Sequence, residues 1–172
     1  QSPIVTDISS SAGTNICPTK TSQMSSTPAG GVWTSATKAA VTIDATTGVA
    51  TGVAAGTSVI TYTVTSAEAC TTAKTYTLTV DPAPTVAAIL GASFVCKGET
   101  TKLTCATPNG TWSSATPAAA TVDPVTGVVT GVKAGDSTII GYTVFLNNCS
   151  TTSYFSIKVN PMPVVDAIAG DL

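Results

Sequence analysis

Five cysteines stand out as residues whose type and spacing can do chemistry. Cys17 and Cys70 lie 53 positions apart, and so do Cys96 and Cys149. The simplest pairing is one disulfide within each half, Cys17 with Cys70 and Cys96 with Cys149. Closing a loop of that size contributes about 3–5 kcal/mol in the chain-entropy account. Bonds that persist imply an oxidising compartment. Two alternatives stay open: Cys105 bonded to Cys149, or a reducing compartment in which every thiol is free.

Other chemistry is sparse. The chain has no histidine, which removes the commonest general base and many metal sites. Its nine acids are Asp7, Asp44, Glu68, Asp81, Glu99, Asp123, Asp136, Asp166 and Asp171, and they are spread singly. No pair has the spacing of a glycosidase, and no glycine-rich loop precedes a helix to cradle phosphate. A non-enzymatic chain without cofactor is therefore expected. Asp44 and Asp123 are the best metal candidates, but calcium wants six or more oxygens. A turn-capping role suits them better. The seven lysines are scattered and arginine is absent, so a nucleic-acid groove is not expected. No apolar run reaches the roughly 18–20 residues of a membrane span. No stretch reads as a secretory leader; an exported chain of this kind is expected to be a mature or internal piece.

The elements that must hold these residues follow from an internal repeat. Gly31-Val-Trp-Thr-Ser35 returns as Gly110-Thr-Trp-Ser-Ser114, an offset of 79. The same offset carries Cys17 to Cys96, Asp44 to Asp123, Cys70 to Cys149, and Gly48, Gly52 and Gly56 to Gly127, Gly131 and Gly135. Cys105 falls on Ser26, so it has no counterpart and reads as a small buried hydrophobe. Tyr62 matches Tyr142 at an offset of 80, which places one extra residue near Gly141 and reads as a β-bulge. The junctions repeat as well, Asp81-Pro-Ala-Pro84 and Asn160-Pro-Met-Pro163. Each proline fixes φ and holds its neighbour extended, giving a semi-rigid joint. The expected organisation is repeat 1 over 1–82, repeat 2 over 83–161, and the first strand of a third repeat over 162–172, lined up end to end.

Within repeat 2, strands are expected over 85–90, 99–106, 110–114, 119–123, 128–132, 137–145 and 153–159. They alternate in burial at period two and are separated by turn residues. Only 9% of residues are charged, and threonine and valine favour a pleated surface. About seven short strands per repeat predict an all-β, immunoglobulin-like sandwich of two antiparallel sheets. Trp33 and Trp112 could stack on sugars if exposed, but their place beside glycine in a strand predicts core packing. Asp136-Ser137-Thr138 resembles a short bacterial O-glycosylation motif, making Ser137 a candidate acceptor. Asn109-Gly-Thr111 fits an N-glycosylation sequon and equally a turn. No triad for a Lys–Asn crosslink is visible.

Three stretches carry a family resemblance: Trp112 to Asp123, Gly127-Val-Val-Thr-Gly-Val-Lys-Ala-Gly135, and Thr138-Ile-Ile-Gly-Tyr-Thr-Val144. They resemble the bacterial immunoglobulin-like domain, group 2. Repeat 1 carries the same signature at Trp33, Val41 to Asp44 and Gly48 to Gly56. The cysteine-containing, threonine-rich form with Pro-x-Pro junctions is also similar to repeats of very large Bacteroidetes surface proteins, gliding-motility adhesins among them. The resemblance implies a stalk or spacer of stacked domains at the bacterial cell surface. Its partners would be neighbouring repeats of the same chain. Rival roles are a module that itself binds surface glycan or protein, and a filament in which an edge strand or the segment 164–172 pairs with another copy.

Overall fold

Alternating β-branched residues, glycine at fixed turns and sparse charge produce strands and no helix in the computed structural model, which describes residues 1–164. Beyond Val164, the expected opening strand of a third repeat lies outside the described residues. The described residues divide into two compact units, one of Gln1–Pro84 with Phe145–Ser150, the other of Thr85–Val144 with those from Thr151 onward.

The first unit contains β1 (Ser9–Ser10), β2 (Asn15–Ile16), β3 (Thr21–Ser25), β4 (Val32–Ser35), β5 (Val41–Ile43), β6 (Val49–Gly52), β7 (Gly56–Thr65) and β8 (Thr71–Val80). One sheet runs β1-β3-β6-β5 and the other β2-β8-β7-β4. Every pairing is antiparallel except β2 with β8. Burial alternates along β3 and β4, and the inward set, with Met24, Trp33, Val41, Ile60 and Leu78, forms the core. This is a sandwich whose two inner faces meet.

The second repeat follows the same plan with β9 (Ile89–Leu90), β10 (Phe94–Cys96), β11 (Thr100–Lys102), β12 (Thr104–Cys105), β13 (Thr111–Ser114), β14 (Ala120–Val122), β15 (Val128–Gly131), β16 (Ser137–Leu146) and β17 (Cys149–Asn160). Strands β13, β14 and β15 fall on β4, β5 and β6 at the offset of 79, residue for residue. Leu103 interrupts the strand that is continuous as β3 in the first unit, and it is almost fully buried. Its neighbours in the core are Trp112, Val129, Ile140 and Ile157.

The extra residue of repeat 2 lies elsewhere than expected. Gly141 pairs in regular register with Ser113. The residue that breaks register sits at the start of β16. Gly135 donates its N–H to the Val159 carbonyl, and Val159 donates its own to the Asp136 carbonyl, so two residues oppose one. Gly135 takes φ of 90°, the left-handed conformation of a glycine bulge. The first strand expected over 85–90 is also shorter, reduced to Ile89–Leu90.

Candidate functional site

The sulfur sites depart from the expected pairing. Cys17 is bonded to Cys149, with Cα atoms 5.5 Å apart, and the bond lies within the first unit. Cys70, Cys96 and Cys105 are free thiols. Neither Cys17–Cys70 nor Cys96–Cys149 exists, and strand geometry gives the reason. Ile16 pairs with Val80 at one end of β8, whereas Cys70 precedes Thr71 at the other. Ten residues of strand at about 3.3 Å each separate them by roughly 33 Å. A disulfide needs Cα atoms within about 7 Å. In repeat 2, Cys149 opens β17 and Cys96 pairs with Asn160 at its far end. Cys105 is half-buried against the second core, its thiol 3.4 Å from the Ala87 carbonyl.

A second constellation occurs twice and is built around tryptophan. Trp33 and Trp112 are 5% and 6% exposed, so both rings belong to their cores. Each lies against a tyrosine on the neighbouring strand, with ring centroids 4.3 Å apart for Trp33–Tyr62 and 4.6 Å for Trp112–Tyr142. The tyrosine hydroxyl then latches a loop. Tyr62 donates to the Pro28 carbonyl at 2.7 Å and accepts from the Gly31 N–H at 2.8 Å. Tyr142 does the same with Thr107 and Gly110 at identical distances. A buried phenol needs such partners. The sequence signal for these latches is a tyrosine matched between repeats, Tyr62 and Tyr142, together with a matched Gly-x-Trp.

Asp44 and Asp123 hold the turns that pass beside those tryptophans. Asp44 Oδ1 accepts from the Thr46 and Thr47 N–H groups at 3.0 and 2.7 Å and from the Thr47 hydroxyl at 2.8 Å. Asp123 Oδ1 accepts from Val125, Thr126 and the Thr126 hydroxyl at the same three distances. The turn carbonyls of Ala45 and Pro124 in turn accept the backbone N–H of Trp33 and Trp112. Among the described residues no three His, Cys, Asp or Glu side chains cluster to hold a metal.

Both carboxyls are held below the usual aspartate range. The cause is first the backbone N–H of Thr47 or Thr126, then that residue's hydroxyl, then the N–H of Thr46 or Val125. A depressed folded pKa gives stability that is present above the unfolded value, near 3.8, and lost as pH falls through the folded one. Asp7, held down by its hydrogen bond to Lys74, acts in the same direction. The double variant Asp44→Asn, Asp123→Asn should therefore melt below the wild type at neutral pH. The gap between the two melting curves should shrink as pH falls below about 4. A gap that stays the same size as the solution is acidified would show that ionisation of these turns contributes nothing.

Ser137 is exposed at the start of β16, while Thr138 is buried and accepts the Thr116 N–H at 2.9 Å. Asn109 is exposed in a turn with φ of 62°. A cavity of about 330 Å³ in the first unit is lined by Val32, Trp33, Ser35, Lys38, Thr42 and Ile43 among others.

The fold defines the class: tandem immunoglobulin-like β-sandwiches. No family model and no curated protein matches the chain. Among solved structures, it is similar to a SusE-like, surface-located polysaccharide-binding protein from the heparin utilisation locus of Bacteroides thetaiotaomicron. Identity is 13%, the TM-score is 0.50, and the match covers 86% of this chain and 32% of that one. It is also similar to the C-terminal fragment of intimin solved with the intimin-binding domain of its translocated receptor. There identity is 15%, the TM-score is 0.45, and the match covers 92% of this chain and 64% of that one. The chain thus spans a third to two thirds of the length of these structures. At such identities the likeness speaks for the fold alone.

Proposed function

We propose that this chain is a non-catalytic spacer within a bacterial cell-surface protein of the immunoglobulin-like group 2 type. The observation that carries the reading is the duplicated keystone. Each unit spends its tryptophan, tyrosine and turn aspartate on holding its own sandwich. Buried polar side chains are also used internally: Ser35 bonds Ser58, and Ser114 bonds Thr138. Among the described side chains, no buried polar atom lacks a partner. Pro82 and Pro84 stiffen the link between the copies. A disulfide fits an exported protein.

Small-angle scattering tests the spacer. An elongated particle is expected, and a compact globule overturns the reading. The 330 Å³ cavity beside Trp33 favours a second reading, a module that binds glycan or protein directly. Saturable binding to a glycan array, weakened by Lys38→Ala, would establish that reading instead.

A further inference from the structure

The two cysteines matched between repeats sit at opposite ends of the same long strand. Cys70 and Cys149 lie at the hairpin that opens β8 and β17; Cys17 and Cys96 lie beside the last residues of those strands. At that separation no repeat can bond its own pair. The bond that exists joins the first matched cysteine of repeat 1 to the second matched cysteine of repeat 2. Cys96 and Cys70 are the two positions of that pattern left over, and both are free and partly accessible. Cys149, the bonded counterpart of Cys70, is only 1% exposed.

We propose that Cys96 and Cys70 are half-sites for further disulfides of the Cys17–Cys149 kind, each completed by the thiol of another repeat of this type. Cys96 takes the second cysteine of a following repeat, and Cys70 takes the first cysteine of a preceding one. The partner thiol comes from the same polypeptide or from a second copy of this chain. Cys105 has no part in the pattern, because repeat 1 has Ser26 in its place. The bond forms by thiol–disulfide exchange with a small disulfide such as oxidised glutathione. One thiolate attacks the oxidant and releases a first reduced glutathione, leaving a mixed disulfide. The second thiolate displaces the other glutathione, so two thiols and one oxidised glutathione give one protein disulfide and two reduced glutathiones. This rests on the cysteine geometry and is independent of the spacer reading.

The test uses the full chain carrying Cys105→Ser, concentrated in a glutathione redox buffer. A ladder of disulfide-linked oligomers is expected on non-reducing gels, with peptide mass spectrometry finding Cys70 joined to Cys96 of another copy. Adding Cys70→Ser or Cys96→Ser should each abolish the ladder. Mixing those two variants should give a heterodimer and nothing larger. Second copies as the source are read from the ladder. Same-polypeptide repeats are read from peptide mapping of a longer expressed array, where Cys96 should be joined to the following repeat. Peptides joining Cys17 to Cys70 or Cys96 to Cys149 overturn the proposal. So does a chain that stays monomeric, its Cys70 and Cys96 alkylating freely, or one that forms mainly Cys70–Cys70 dimers.

Discussion

Replacing Trp112 by alanine should cost about 3–5 kcal/mol, the range for deleting a buried aromatic from a packed core. That approaches the whole stability of a small domain, since natural domains hold about 5–15 kcal/mol and one this short buries proportionally less surface. The loss has three sources. The indole leaves a void beside Leu103 and Ile140. Tyr142 loses the ring it packs against at 4.6 Å. Gly127, which lies directly under the indole, loses its cover. Trp112→Phe refills most of the void and should retain more than half of the stability. Val125→Ala, at a side chain 83% exposed, should change stability by less than about 0.5 kcal/mol. Urea unfolding followed by circular dichroism measures all three, and Trp33→Ala should behave as Trp112→Ala does. A loss below about 1 kcal/mol for Trp112→Ala would remove the indole from the core and return it to the role of a sugar-stacking surface.

Much of this arrangement was legible in the residues, and what was not legible fails for identifiable reasons. The offset of 79 located Trp33 and Trp112, the aspartate turns and the glycines, because each depends on local chemistry that must recur with the fold. The disulfide is not legible there, because equal spacing of 53 reports separation along the chain and says nothing of direction in space. The strands contained the answer. A cysteine before a ten-residue strand and one beside its end cannot meet. Gly141 invites a bulge in the sequence because a glycine inside a strand is the usual sign of one. Hydrogen-bond register, which sequence does not display, puts it at Gly135. A side chain shortens the first strand: the Thr107 hydroxyl takes the Ala87 N–H at 2.8 Å, and ladder pairing begins only at Ile89, opposite Cys105.

Gly127→Ala should cost about 2–5 kcal/mol, far more than a methyl group suggests. Its φ of 72° is left-handed, which for a side chain costs roughly 1–2 kcal/mol. An added Cβ would also stand 2.7 Å from the Leu103 carbonyl oxygen and 2.8 Å from the Trp112 ring. Overpacking of that kind adds about 1–3 kcal/mol. Two other glycines separate the contributions. Gly98, with φ of 84°, has nothing within 4 Å of its Cβ position, so Gly98→Ala meets only the backbone cost of about 1–2 kcal/mol. Repeat 1 already tolerates that cost: Thr19 occupies the matched position at φ of 65° and makes the same 2.8 Å hydrogen bond to Gly52 that Gly98 makes to Gly131. Gly131 has an ordinary φ, but its Cβ would lie 2.6 Å from the Cys96 carbonyl oxygen, so Gly131→Ala isolates the steric part. Chemical denaturation should therefore rank Gly127→Ala as the most destabilising, with Gly98→Ala the mildest. If Gly127→Ala and Gly98→Ala were equally costly, the close approach of turn and indole would be absent. The tryptophan would then lack the floor that fixes its place in each sandwich.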